Sequence, residues 1–381
     1  MSPVRVHEVH SVEELAGHRA AWDALALAGP EQLPMLSYAW VATFLEHRLA
    51  PGQAWRCLFA YVGDELVGVL PVVRVRDRAP GSRWQAPLDA HTRTGHALVA
   101  AGACPAALSA MLRRLRELEP HYLWVRFSGV RAGSPVLSGA DPAVASTVTV
   151  SAARGSGSVV PTTGTVEEFE AGLGTNFRRN LRKARNRAER DHDVGFGFHT
   201  GPDAAADGLL RRFLDLEATG WKGAAGTAIS CSPRLVDFYA ALTRRLSDRG
   251  WLEWHFLELD GVPVAGHLAV RFGRSVGLFK IGYDETYARL GPGNLLFHRT
   301  VTRACADPGV DEVNCVTDMA WHDNWPMVKA PYSDMVVTPR WLLASASALV
   351  EVRAPAAVVR RAKEVPWLVS AARRAKAART P

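Results

Sequence analysis

Long apolar runs are missing from this 381-residue chain, and no stretch approaches the roughly eighteen residues that a membrane-spanning helix needs. The opening stretch, MSPVRVHEVHSVEEL, carries acids where a signal peptide requires apolar residues, so secretion is not expected. Cysteine is scarce and odd in number: Cys57, Cys104, Cys231, Cys305 and Cys315 include no C-x-x-C pair. That pattern suits reduced, mostly buried thiols in a cytoplasmic protein and argues against a disulfide framework. Histidines occur in HTRTGH (91–96) and WHDNW (321–325) without an H-E-x-x-H helix or cysteine pairs, so no metal is expected. The G-x-G-x-x-G nucleotide fingerprint is absent from the Gly-rich junction at Gly291–Gly293, which speaks against a dehydrogenase. GRSVG (273–277) matches G-x-S-x-G in letters only, because it falls in a hairpin turn and not at a strand-to-helix elbow.

What is present is an ordinary globular composition, 48% apolar and 22% charged, in a chain long enough for two domains. The net charge of +7 is concentrated. FRRNLRKARNRAER (177–190) holds seven basic residues and one acid, and the tail 346–381 holds eight basic residues and two acids, so the remainder is net negative. Local basicity of this kind points to an anionic partner or surface. Segment 177–190 reads as a helix with an apolar stripe of Phe177, Leu181, Ala184 and Ala188. Arg178, Arg182 and Arg185 lie on one flank, and Arg179, Lys183 and Arg190 on the other. Like charges at this spacing repel by about 0.2–0.5 kcal/mol per pair. Compensation is expected from a ligand's phosphates, from a tRNA, or from acidic side chains of the other domain.

Along the chain, a strand at 4–9 leads to a helix that Ser11 can cap, with Glu14 at capping-box spacing. A helix at 37–49 follows, then a hairpin turning at Gly63-Asp64, a helix in PAALSAMLRRLRELE, and the buried strand YLWVRFSGV. SAARGSGSVVPTTG (151–164) reads as a linker between an N-terminal domain, 1–150, and a C-terminal domain, 165–341. Beyond it come the basic helix, a strand at 194–199, and helices at 203–219 and 233–249. A three-strand meander turns at Asp260-Gly261 and Gly273-Arg274, followed by a helix at 294–306 and the strand DEVNCVTD. The tail, 342–381, reads as basic and helical. Gly63, Leu66, Gly68, Leu70 and Val72 match Gly261, Val264, Gly266, Leu268 and Val270 at a constant offset of 198. Duplication of one α/β unit and generic hairpin chemistry both account for this.

The junction YDETYARLGPGNLLFHRTV (283–301) passes from a strand through Gly291-Pro292-Gly293 into a helix beginning at Asn294-Leu295. A helix N-terminus leaves backbone N–H groups without partners and carries partial positive charge. Glycines there allow close approach of an anion such as a phosphate, and a plain turn is the alternative.

This order of helices, meander, Gly-rich turn, helix and strand resembles the GNAT acyltransferase superfamily, in which that turn holds the pyrophosphate of coenzyme A. Gly291 and Gly293 match its glycines, while Ala288 stands at the leading position and Arg289 comes one place late. Five stretches between Phe177 and Lys329 are similar to the acetyltransferase domain of cellulose-biosynthesis-type proteins. These are NFRRNLRKARNRAE, WKGAAGTAIS, GVPVAGHLAV, GYDETYARLGPGNLL and a distal Asp318…Lys329. That domain is in turn similar to Fem-type aminoacyltransferases, which carry two GNAT units. The resemblance implies an α/β fold with tandem GNAT-like units and mixed, mostly antiparallel sheets, the first unit degenerate. It also implies transfer of an acyl group from acyl-coenzyme A, or of an aminoacyl group from a charged tRNA, to a primary amine of a small molecule.

Acyl transfer needs a neutral amine, stabilisation of an oxyanion and a proton for the leaving group. Asp318, at the end of the last core strand, is a candidate acid, base or amine anchor. Tyr283 and Asp284, just before the turn, could handle protons, though Asp284 could equally cap a helix. His267 interrupts an aliphatic strand, as a base or as a structural histidine. Alternation puts Phe279, Ile281 and Tyr283 on one strand face and Lys280, Gly282 and Asp284 on the other. Lys280 needs a partner such as Asp284 or Asp318. Trp221, Lys222 and Lys329 are candidate acceptor contacts, each with a plain packing or solvated alternative. A non-catalytic binding protein is the reading from another class.

Overall fold

The computed structural model describes residues 3–339 apart from 77–80, 139–146, 206–207, 221–222 and 224. The tail, Trp221 and Lys222 lie outside the described residues. Alternating aliphatics produce β1 (Val4–Val9) and the hairpin β2 (Trp55–Val62) and β3 (Glu65–Arg74), with α1 (Val12–Gly17), α2 (Arg19–Ala28) and α3 (Tyr38–His47) between β1 and β2. Ser11 caps α1 by accepting the Glu14 N–H at 3.2 Å, and Ser37 caps α3. The first eight residues of α3 are all buried, because it is wedged between the two halves of the molecule. β4 (Ser82–Gln85), β5 (Leu98–Val99), α4 (Ala106–Leu118), β6 (Tyr122–Arg131) and α5 (Pro135–Ser138) complete this half.

The segment read as a linker is β7 (Thr147–Pro161), a strand at the centre of the sheet. Its Gly and Ser content misleads because Gly155 takes φ +128° and Gly157 leaves room for the Tyr332 ring. Next come α6 (Val166–Ala171), α7 (Thr175–Asp191), β8 (Val194–Thr200), α8 (Leu209–Thr219) and α9 (Pro233–Ser247). The meander β9 (Leu252–Leu259), β10 (Val262–Phe272) and β11 (Ser275–Tyr283) leads to α10 (Pro292–Cys305), β12 (Glu312–Asn314) and β13 (Val328–Pro339). The helix expected over 203–219 begins later, at Leu209 behind the left-handed Gly208.

All thirteen strands form one sheet, in the order β1-β2-β3-β4-β6-β13-β7-β12-β11-β10-β9-β8, with β5 beside β3. Only β4 with β6 and β11 with β12 run parallel. Each half therefore repeats four antiparallel strands, a helix, and a fifth strand parallel to the fourth. The closing strands are exchanged: β7 follows the first repeat but pairs with β12, while β13 follows the second and pairs with β6. They also pair with each other along most of their length, which locks the repeats together.

The hairpins superpose at an offset of 197, not 198. Val62 opposes Glu65 as Leu259 opposes Val262, and the bulged residues are Val67 and Val264. The glycines matched by eye face different helices: Gly68 is packed under Met111 of α4, and Gly266 under Leu216 of α8. The repeat is real in topology, and the gapless residue match is a coincidence of aliphatic alternation.

Candidate active site

Parallel pairing of β11 with β12 lasts for three residues and stops at Gly277 opposite Asn314. Beyond that point the strands diverge for two reasons. On β11 a bulge at Phe279 breaks the ladder to β10, so that Leu278 pairs with Ala269 but Lys280 pairs with Leu268. On the other side, Asn314 Oδ1 accepts the Val316 N–H at 2.8 Å and Val316 takes φ +59°, turning the chain out of the sheet. The strand expected through Asp318 thus ends at Asn314. A β-branched residue in the left-handed region is strained, and such residues gather at functional sites.

The gap between the strands is a cavity of about 140 Å³. Leu278, Phe279, Lys280 and Ile281 all line it, because the bulge cancels the strict alternation expected of this strand. Cys315, Val316, Thr317, Met319, Trp321 and His322 form the opposite wall. Met35, Ala90, His91 and Arg93 close it from the first repeat. His91, Arg93 and His322 belong to the two histidine-bearing stretches that zinc spacing excluded. Those letters were the only trace in the sequence of a site shared by both repeats. Among the described residues no group of three or more His, Cys, Asp or Glu could hold a metal.

Asp318, between the cavity residues Thr317 and Met319, is held by three groups and approached by a fourth, His322. Ser156 and Ser158 donate to it at 2.9 and 3.0 Å, the Lys329 ammonium bonds it directly, and His322 Nδ1 lies 3.9 Å away. Lys329 first, then Ser156, holds the carboxyl down at about 2. A carboxylate so stabilised is a weak proton acceptor, which counts against the acid–base role expected for it. Lys329, a candidate acceptor contact, also reaches Asp323 at 3.3 Å, and so ties β13 and β7 to the end of β12. His322 is buried, and burial followed by Lys329 pushes it down to about 4. Its Nδ1 accepts the Met319 N–H at 3.2 Å, which leaves the proton of the neutral ring on Nε2. His91 bonds the Tyr239 hydroxyl at 2.9 Å and is likewise lowered to about 4 by burial and Lys280.

The other expected residues scatter. His267 is buried between β10 and α10, 3.4 Å from the Thr300 hydroxyl and beside His255, outside the cavity. Burial pushes it well below the usual range, so it is a structural histidine. Asp284 caps the 3-10 turn Glu285–Leu290 by accepting from the Thr286 N–H and hydroxyl at 2.9 and 2.8 Å. Lys280 lies 5.6 Å from the Tyr239 ring centroid, with neither Asp284 nor Asp318 as its partner in the contacts those acids make. Tyr283 is 41% exposed and stands over the turn.

At that turn Gly291 takes φ +57°, Pro292 opens α10, and no side chain caps the helix. Leu295 is buried, whereas Gly293 and Asn294 are partly open. The two glycines differ in kind. Gly291 is required by its backbone angle. A Cβ at Gly293 would meet only the Tyr283 ring, at an ordinary 3.6 Å, so nothing within the protein demands glycine there.

The basic helix α7 buries Ala188 and packs Phe177 on Trp325, as its stripe predicts. Arg178 and Arg187 reach backbone carbonyls, Arg179 reaches Asn176, and Arg185 and Arg190 pair with their neighbours Glu189 and Asp191. Arg182 and Lys183 have no hydrogen-bond or ion-pair partner among the described residues. Among the described residues, no acidic side chain of the other half compensates the helix.

The chain thus folds as a mixed, mostly antiparallel sheet with a diverging parallel pair and a bulged strand before a Gly-rich helix N-terminus. Residues 175–321 match the family model described as an acetyltransferase (GNAT) domain. Among solved structures the chain resembles FemX, at TM-score 0.58 and 11% identity, over 86% of this chain and 96% of that one. It also resembles the C-terminal DUF2156 domain of a putative lysylphosphatidylglycerol synthetase from Agrobacterium fabrum, at TM-score 0.54 and 11% identity, over 84% and 92%. A conserved protein of unknown function from Bacteroides thetaiotaomicron VPI-5482 gives TM-score 0.54 and 14% identity, over 89% and 100%. At these identities the likeness concerns the fold. No curated protein matches the sequence.

Proposed function

We propose that this protein is an N-acyltransferase that moves an acyl group from an acyl-coenzyme A to a primary amine of a small molecule, forming an amide. The observation that carries this reading is the cavity opened beyond Gly277 and Asn314, inside the segment that matches the acetyltransferase domain. The ladder between β11 and β12 ends at Gly277, and Leu278 and Phe279 beyond it line that space, where a splayed strand can present main-chain groups. Preorganised N–H donors of this kind stabilise an acyl oxyanion, each worth about 3–4 kcal/mol. The amides of Gly293 and Asn294 would take the donor's phosphates, with glycine at 293 keeping the surface flat for them. Tyr283, exposed beside Gly293, is the proton donor this reading assigns to the departing thiolate. With His91 and His322 both held neutral, the cavity lacks a side chain that must lose a proton before an amine can attack.

Unpaired Arg182 and Lys183 favour a second reading, in which the donor is an aminoacyl-tRNA whose backbone lies along α7. Product formation with acetyl-coenzyme A against charged tRNA, each with and without ribonuclease, separates the two. Ribonuclease-resistant turnover of the thioester is the expected result. Ligand binding without amide product from either donor would leave a non-catalytic binding protein.

A further inference from the structure

The first repeat places Ala90, His91 and Arg93 in the wall of the cavity, and the charge they bring is one-sided. Arg93 and Lys280 line the space together with no Asp or Glu. The acids whose charge reaches its two histidines, Asp89, Glu217, Asp318 and Asp323, are already engaged. Asp89 accepts from Arg48 at 2.7 Å and from the His91 and Thr92 N–H groups, Glu217 accepts the Ile229 N–H at 2.9 Å, and Asp318 is taken by Lys329. Arg93 is exposed and makes no hydrogen bond or ion pair among the described residues. A guanidinium left open beside a cavity free of carboxylates suits a bidentate anion, carboxylate or phosphate. Size narrows the ligand further. The cavity's 140 Å³ is close to the roughly 150 Å³ that holds one benzene.

We infer that the acceptor is a small amine bearing an anionic group, and that Arg93 is the residue that selects it. This rests on the transferase reading, and it deepens that reading by assigning the first repeat a role in acceptor specificity. Lys280, against the Tyr239 ring, adds positive potential to the wall that the second repeat supplies.

The test uses the full chain with acetyl-coenzyme A and three amines of similar length: ethanolamine, β-alanine and O-phosphoethanolamine. In the wild-type protein kcat/KM for one anionic amine should exceed that for ethanolamine at least about tenfold. Which of the two leads tells carboxylate from phosphate. In Arg93→Ala that ratio should fall to near one, and Arg93→Lys should restore part of it. Equal use of all three amines by the wild type would overturn the inference, as would a uniform loss across them in Arg93→Ala. If no amine is acylated from thioester or charged tRNA, the transferase reading fails by itself. Calorimetry then decides the anion site alone. Saturable binding of β-alanine or O-phosphoethanolamine that Arg93→Ala removes supports it, and no binding, or binding unchanged by the variant, refutes it.

Discussion

The two repeats build the same diverging parallel pair and finish it differently. In the first, the gap between β4 and β6 is filled by the chain that follows β4. Ala86 donates to the Arg126 carbonyl at 3.0 Å, and Gly95 and Ser128 exchange two backbone bonds at 3.0 and 2.8 Å. Its helix α4 starts behind Cys104, which is buried and whose thiol donates to the Pro135 carbonyl at 3.0 Å, with Pro105 and Ala106 exposed. In the second repeat no backbone hydrogen bond among the described residues bridges the gap, and the helix begins at a glycine turn whose Gly291, Gly293 and Asn294 are half-buried. The loop that plugs the first gap carries His91 and Arg93 at its tip into the wall of the second. One repeat thus supplies part of the wall of the cavity in the other, while its own gap is filled.

The sharpest way to break this comparison is Gly293→Val. Thioester affinity should drop by at least roughly 100-fold, or about 2.7 kcal/mol, with the melting temperature unchanged, because the protein itself leaves room for the side chain. Ala106→Val, at the first repeat's helix start, should leave donor affinity unaltered; isothermal titration with both variants reads the contrast. Next in size is Gly95→Val. A Cβ there would stand 2.3 Å from the Pro87 carbonyl oxygen, so the plug should lose about 1–3 kcal/mol of stability by denaturant melting. If the plug positions Arg93, acceptor KM should rise in the same variant.

Acid should act on the second repeat's wall in two windows. His91 and His322 fold as neutral rings with pKa lowered from 6.5 to about 4. Their stabilisation is whole above pH 6.5 and is lost as pH falls through 4. Asp318, lowered from 3.8 to about 2, contributes above pH 3.8 and loses its contribution as pH falls through 2. Melting curves between pH 7 and 2 should show both declines, and Lys329→Met should weaken the second, since Lys329 is its largest cause. Over pH 6–8 neither histidine should leave an inflection in kcat/KM.

The smallest effect concerns α7. Reversing Arg182 and Lys183 to Glu should change thioester turnover little. A tRNA-dependent enzyme would instead lose activity, and its affinity would fall about 10³–10⁵-fold between 50 and 200 mM salt if six or more phosphates were engaged.

Much of the architecture was legible because its signals are local. Ser11 caps where expected, the hairpins turn at Gly63-Asp64 and Asp260-Gly261, and the stripe of α7 is buried at Ala188 and half-buried at Phe177, Leu181 and Ala184. The glycine turn was visible for the same reason. What escaped was non-local. β7 looks like a linker because its partners, β12 and β13, lie about 150–190 residues further along the chain. Asp318 looked like a base because its tether to Ser156 and Ser158 crosses the same distance. His267 carried no mark that would distinguish a buried ring from a reactive one.

Side-chain order along the chain determined the strands, the caps, the basic helix and the glycine-flanked helix start, since backbone angle, alternation and capping act over a few residues. Only the tertiary structure decided which repeat keeps an open cleft and which fills it, and that Arg93 stands beside β11. Those outcomes depend on strand exchange and on one loop reaching across the sheet, interactions between residues with no shared local pattern to announce them.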